Sequence, residues 1–102
     1  MEAVYSEQEL IEKLTPIFKQ YPVKRATLFG SYARGEQKTE SDLDLLLEYE
    51  FSKDLPDFLD FWDALERIMG IRADMLTLSS LETTPRIIKA NILKEMRCIY
   101  EA

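Results

Sequence analysis

The chain has 102 residues, a length that suits one compact domain with a single core. Hydrophobic residues make up 46% of it and charged residues 31%, which is the balance of a folded globular protein. The formal net charge of −6 argues against direct binding of nucleic acid, because a phosphate backbone requires a basic surface. The sequence contains no histidine, which excludes histidine-based zinc sites, Ser-His triads and imidazole bases.

The sequence also bears on the cellular compartment. No apolar run approaches the roughly 20 residues of a membrane-spanning helix, and the first ten residues, MEAVYSEQEL, lack the basic and then apolar order of a signal peptide. The single cysteine, Cys98, has no intrachain partner for a disulfide. We therefore expect a cytoplasmic protein with no membrane contact.

The first two elements are predicted over the first thirty residues. Ser6 and Glu9 have the spacing of a capping box that opens a helix. The apolar stripe of this helix comprises Leu10, Ile11, Leu14, Ile17 and Phe18. Pro16 lies within the stripe and predicts a kink or a restart. Residues 21–30, YPVKRATLFG, predict a first strand that Gly30 closes.

A second strand is predicted over residues 42–49, DLDLLLEY. Side chains two positions apart on a strand share a face. One face therefore holds Leu43, Leu45, Leu47 and Tyr49, and the other holds Asp42, Asp44, Leu46 and Glu48. The first face is expected to pack in the core, whereas the second begins with two neighbouring carboxylates.

The clearest helix is predicted over residues 54–70, with Asp54 as its cap and Gly70 at its end. Its predicted apolar arc is Leu55, Phe58, Leu59, Trp62, Leu65, Ile68 and Met69. A third strand follows in RADMLTL, residues 72–78. A last helix begins at Thr84-Pro85. It is predicted to run through Ile88, Ile92, Met96 and Ile99.

This order of elements predicts an α/β fold of the mixed α+β kind, with a small mixed three-stranded sheet packed on about four helices. The short connection favours antiparallel pairing of the first two strands, and the helical crossover makes the second and third strands parallel. We expect one domain spanning residues 1–102.

The two acids of the second strand indicate a metal site. Carboxylates two residues apart repel each other unless a cation bridges them, and Mg²⁺ prefers oxygen ligands of this kind. Asp74 begins the third strand, and parallel strands would bring it to the same end of the sheet. Asp42, Asp44 and Asp74 are therefore the predicted magnesium ligands, for two ions, with Asp74 also the candidate base. The alternative for Asp74 is an ordinary acid at the edge of a strand.

Phosphate-binding candidates lie at the end of the first strand. Gly30 allows close approach of the backbone, and Ser31 offers a hydroxyl and a backbone N–H at the start of a helical turn. Arg34 is a candidate phosphate contact, or else a partner of Glu36. Ser41 is the weakest candidate, because a hydrogen bond within a turn explains it as well. Together these residues predict nucleotidyl transfer from a nucleoside triphosphate.

The spacing of these residues is similar to a known family. Gly30-Ser31, ten residues and then Asp42-Leu43-Asp44 resembles the GS-x10-DxD signature of the DNA polymerase β-like nucleotidyltransferases. The strings GSYARGE, SDLDLLL and RADMLTL resemble the minimal members of that superfamily, over about residues 8–101. The resemblance implies the nucleotidyltransferase fold, ATP as substrate, and Asp42, Asp44 and Asp74 as the magnesium triad. Tyr32 stands where the family frequently has arginine.

The resemblance also implies a partner. Many minimal nucleotidyltransferases are antitoxins of HEPN/MNT (type VII) toxin–antitoxin pairs, which implies transfer of AMP to a tyrosine of a HEPN ribonuclease toxin. Two alternatives stay open from the sequence. One is adenylylation of a small molecule, and the other is a non-catalytic antitoxin that only occludes its toxin.

Acidic residues are concentrated in the middle of the sequence. Between Glu40 and Glu66 there are ten acids and one base, Lys53. Asp57, Asp60 and Asp63 would form a stripe on the outer side of the predicted helix, which is either a solvated face or a docking surface for a basic partner. The last helix, net basic over residues 86–97, is a second candidate contact surface.

Overall fold

The computed structural model describes residues 4–51 and 58–102. Within them lie five helices and four strands. In chain order these are α1 (Glu7–Lys19), β1 (Val23–Phe29), α2 (Gly30–Arg34), β2 (Leu43–Tyr49), α3 (Phe58–Met69), β3 (Ala73–Thr77), α4 (Leu78–Thr83), α5 (Arg86–Glu95) and β4 (Arg97–Glu101). The predicted cap Asp54 and the arc residue Leu55 lie outside the described residues.

Helix α1 begins with the predicted capping box. The Ser6 hydroxyl accepts from the Glu9 N–H at 3.1 Å, and a Glu9 carboxylate oxygen accepts from the Ser6 N–H at 3.0 Å. The restart predicted at Pro16 is wrong, since a single helix continues through it to Lys19, and the alternative of a kink stays a prediction. The Thr15 hydroxyl donates to the carbonyl of Ile11 at 2.6 Å. This side-chain hydrogen bond lies next to the backbone hydrogen bond that is missing at Pro16, because proline has no N–H to donate.

The sheet has the strand order β3-β2-β1-β4. Strand β1 pairs antiparallel with β2 and with β4, and β2 pairs parallel with β3. The mixed α/β fold and both predicted strand directions are therefore confirmed. This topology brings the ends of β1, β2 and β3 together, where the candidate residues lie.

The fourth strand corrects the sequence prediction at the end of the chain. Helix α5 ends at Glu95, Met96 has an extended backbone, and residues 97–101 pair with β1. The predicted helix through Ile99 is therefore wrong, and the sheet has four strands instead of three. The open edge of β1 decides this, because its unpaired backbone groups gain hydrogen-bond partners from β4.

The core lies between one face of the sheet and helices α1 and α3. The predicted inward face of β2 is confirmed, with Leu43, Leu45 and Leu47 fully buried. The arc predicted for α3 is partly wrong. Leu59 and Ile68 are 67% and 60% exposed, whereas Phe61 and Ala64, outside the predicted arc, are buried. The buried side of α3 comprises Phe61, Ala64, Leu65 and Met69.

Phe61 is the central aromatic side chain of this core. It is fully buried, and its ring packs against those of Phe18, Tyr21, Tyr49 and Phe58 at centroid distances of 5.1–6.1 Å. We expect Phe61→Ala to lower the free energy of unfolding by about 3–5 kcal/mol, through lost burial and a residual cavity. Ile68→Ala, on the exposed side of the same helix, should cost less than about 1 kcal/mol. Urea unfolding measures both, and equal losses would contradict this core.

The other face of the sheet is covered by the second half of the chain. Leu46 of β2 packs with Leu81 of α4 and Ile92 of α5, with Phe29 and Leu76 at the margin. Helix α5 thereby lies over the turn that joins β1 to α2. Within residues 4–51 and 58–102, no helix has the length and apolar character needed to cross a membrane.

Candidate active site

The sheet register places two of the predicted carboxylates side by side. Strands β2 and β3 pair in parallel with Asp44 opposite Asp74, and Asp42 immediately precedes β2. Asp74 is exposed, whereas Asp42 and Asp44 are partly buried. Within the described ranges 4–51 and 58–102, no group of three or more acidic or cysteine side chains has an arrangement that could hold a metal ion. The three-carboxylate site therefore stays a prediction, built around the observed Asp44–Asp74 pair.

The electrostatics of Asp44 reflect this crowding. Burial, followed by the nearby charges of Asp74 and then Asp42, raises the pKa of Asp44 from 3.8 to about 6. Arg34 acts in the opposite direction and lowers this pKa, whereas Glu95 raises it slightly. A carboxylate so disfavoured in its charged form indicates a place where a cation would be stabilising.

This pKa predicts a pH dependence of stability. Because the folded pKa of Asp44 exceeds the unfolded value of 3.8, its favourable contribution is complete below about pH 4 and is lost as the pH rises through about 6. We expect Asp44→Asn to be more stable than the wild type at pH 7 without metal, with the difference shrinking towards pH 4. Thermal melts of both proteins across this range measure the effect. A difference independent of pH would contradict the raised pKa.

Gly30 forms the tight turn between β1 and α2. Its φ is +73°, and a Cβ built there would lie 2.1 Å from Asp44 Oδ2 and 3.0 Å from Asp44 Cγ. Only glycine combines this backbone conformation with that space. We predicted that Gly30 allows a close approach to its backbone. In this structure the group that approaches it closely is the Asp44 carboxylate.

The donors next to this turn hold a carboxylate from the other end of the chain. The Gly30 N–H donates to Glu95 Oε1 at 3.0 Å, and Arg34 Nη1 donates to Glu95 Oε2 at 2.9 Å. Arg34 Nε also donates to Glu36 at 2.6 Å, which was the alternative that the sequence left open. Sequence reasoning missed Glu95. The signal that could have found it is that Glu95 is the sole acid between Arg86 and Arg97.

The remaining predicted phosphate contacts differ in placement. Ser31 lies in the first turn of α2, partly buried and next to Gly30. Ser41 accepts from the Lys38 N–H through its hydroxyl at 2.8 Å, so its side chain closes a turn. Tyr32 is buried in the core.

The acidic stripe is only partly described. Asp60 and Asp63 are exposed on α3, and Asp63 pairs with Arg67 at 3.5 Å. Asp57 lies outside the described residues. An exposed pair one turn apart contributes little to stability, and the role of this surface stays a prediction.

A cavity of about 580 Å³ lies between the Gly30 turn and α5. Its lining includes Phe29, Gly30 and Arg34 on one side, and Ile88, Asn91 and Glu95 on the other. Apolar walls with a few convergent polar groups are typical of small-molecule sites. Gly30 and Arg34, whose N–H groups donate to the Glu95 carboxylate, thus line a cavity whose walls are largely apolar.

Comparison with known proteins agrees with this arrangement. The family model described as polymerase beta, nucleotidyltransferase, matches residues 12–102. A candidate protein adenylyltransferase of Methanocaldococcus jannaschii is 41% identical over 87 residues, which cover 85% of this chain and 90% of that protein. The solved structure of a candidate minimal nucleotidyltransferase has a TM-score of 0.67 and 28% identity, covering 93% of this chain and 97% of that one.

A further solved structure is a complex. It contains a tri-AMPylated Shewanella oneidensis HEPN toxin with an MNT antitoxin, and it matches with a TM-score of 0.51 and 16% identity, over 94% of this chain and 70% of that chain. At this identity the likeness concerns the fold alone. A glycine turn beside paired strand carboxylates, on this fold, defines a nucleotidyltransferase. The chain belongs to the polymerase β nucleotidyltransferase family.

Proposed function

We propose that this chain transfers AMP from ATP, with Mg²⁺, to a tyrosine hydroxyl of a HEPN-domain ribonuclease toxin and so acts as its antitoxin. The observation that carries the proposal is that Asp44 lies opposite Asp74 in the sheet and against the Gly30 turn. The name of the M. jannaschii relative supports protein adenylylation, and the Shewanella complex supports a HEPN acceptor. Because such a toxin cleaves RNA, the reaction belongs in the cytoplasm.

The donor set fits Mg²⁺. Asp42, Asp44 and Asp74 offer hard carboxylate oxygens on adjacent strand ends, and the raised pKa of Asp44 indicates that a cation there would relieve repulsion. We assign these three residues as ligands of two ions. When bound, Mg²⁺ would lower the pKa of the acceptor hydroxyl and neutralise charge on the leaving pyrophosphate.

The chain's own groups have separate roles in the transfer. The Gly30 N–H and Arg34 would bind phosphate oxygens, with Ser31 beside them in the same turn. The tyrosine oxygen forms a bond to the α-phosphorus as the bond between that phosphorus and the bridging oxygen to the β-phosphate breaks. Pyrophosphate leaves, and Asp74, exposed on the open side of the pair, would accept the tyrosine proton. Ser41 has no assigned role, because its hydroxyl closes the turn with Lys38.

The direct test incubates the chain with a HEPN toxin, Mg²⁺ and labelled ATP. We expect the label on the toxin, on a tyrosine located by mass spectrometry, and loss of its ribonuclease activity. Chelation of Mg²⁺ should abolish labelling. Neutralisation of the toxin without label, with or without Mg²⁺, would contradict adenylylation and favour occlusion by binding alone.

A further inference from the structure

Glu95 holds both phosphate-binding groups of the Gly30 turn. One carboxylate oxygen accepts from the Gly30 N–H at 3.0 Å and the other from Arg34 Nη1 at 2.9 Å. The Glu95 side chain is only 20% exposed, so this contact is packed. A carboxylate that accepts from a backbone N–H and a guanidinium together occupies the donors that a pair of phosphate oxygens would use.

We propose that Glu95 is an internal competitor of the nucleotide's phosphates, a carboxylate that must leave Gly30 and Arg34 before a triphosphate binds there. This inference rests on the proposed function, because it takes the Gly30 turn as the phosphate site. A backbone N–H makes one strong hydrogen bond, so Glu95 and a phosphate oxygen cannot both take that of Gly30. The cost of displacing Glu95 therefore lowers the apparent nucleotide affinity.

The helix that carries Glu95 is lightly held. Of the residues of α5, only Ile92 is buried, and among the described residues no side chain caps its first turn. Glu95 is the last residue of α5, where the negative end of the helix dipole disfavours a carboxylate. The adjacent cavity of about 580 Å³ provides room next to the turn. Release of Glu95 therefore breaks two polar contacts without exposing a large apolar surface.

A neighbouring residue provides a matched control. Glu36 also pairs with Arg34, at 2.6 Å, but its side chain is more exposed than that of Glu95. It follows α2 closely in the chain. The Gly30 N–H donates to Glu95 and not to Glu36. Glu36→Gln therefore removes the same charge from the same arginine while leaving the Gly30 contact in place.

The test is titration calorimetry with AMP-PNP and Mg²⁺ on the full chain and its variants, with thermal melts to verify folding. We expect Glu95→Gln to lower the Kd for AMP-PNP about tenfold, and Glu36→Gln to change it less than about threefold. Glu95→Asp keeps the charge but shortens the reach, and it should also bind more tightly than the wild type.

Two kinds of result would overturn the inference. Glu95→Gln could bind AMP-PNP no more tightly than the wild type, or Glu36→Gln could show the same gain, in which case bulk charge accounts for it. If the wild type binds AMP-PNP but Glu95→Gln does so no better, only the competition is wrong. If neither the wild type nor any variant binds AMP-PNP, both the competition by Glu95 and the proposed function are wrong.

Discussion

Asp44→Asn should reduce AMP transfer at least about 100-fold while leaving the protein folded, and at pH 7 more stable. Asp44 lies opposite Asp74 in the sheet, two residues after Asp42 in the chain and against Gly30, so it is central to the proposed metal site. Loss of one group that stabilises transition-state charge costs about 10²–10³ in rate. The same substitution removes a carboxylate whose pKa is raised to about 6, which relieves repulsion in the metal-free protein.

The measurement pairs the rate of toxin labelling from labelled ATP with a thermal melt on the same preparation. Glu82→Gln serves as the control, because Glu82 is an exposed carboxylate on α4, away from the acidic stripe of α3. It should leave the rate within about twofold and the stability within about 0.5 kcal/mol. A folded Asp44→Asn protein that labels the toxin at the wild-type rate would falsify the assignment of Asp44.

Gly30→Ala should abolish most of the activity because it moves Asp44. The new Cβ would lie 2.1 Å from Asp44 Oδ2, so the carboxylate must rotate away from its position beside Asp74. The alanine also has to adopt a φ of +73°, which costs about 1–2 kcal/mol. We expect at least a 100-fold loss of AMP transfer, since small displacements of reacting groups cost about this much.

Gly70→Ala separates the two effects of that substitution. Gly70 has a φ of +70°, but among the described residues nothing beyond its own chain neighbours lies within 4 Å of the position that a Cβ would take there. It should therefore share the backbone cost of about 1–2 kcal/mol without the loss of activity. Urea unfolding and labelling rates measure both variants. Similar activities in Gly30→Ala and Gly70→Ala would show that the Asp44 contact has no catalytic importance.

Local patterns in the sequence account for much of this fold. The Ser6–Glu9 capping box, the alternation that buries Leu43, Leu45 and Leu47, and the directions of the three strands were predictable, because each depends on residues close together in the chain or on one connection. The closeness of Gly30 to Asp44 also depends on one short connection. A turn that ends β1 and an adjacent antiparallel β2 bring those two positions together.

The tertiary structure alone decided two features of the molecule. The spacing of Ile88, Ile92, Met96 and Ile99 is compatible with one helix. Residues 97–101 nevertheless form a strand, because β1 offers an unpaired edge. Glu95 reaches Gly30 across 65 positions of sequence, and only the packing of α5 over the sheet creates that contact. Sequence periodicity reports which face of an element is apolar, whereas it carries no information on which distant group will fill a given hydrogen-bonding site.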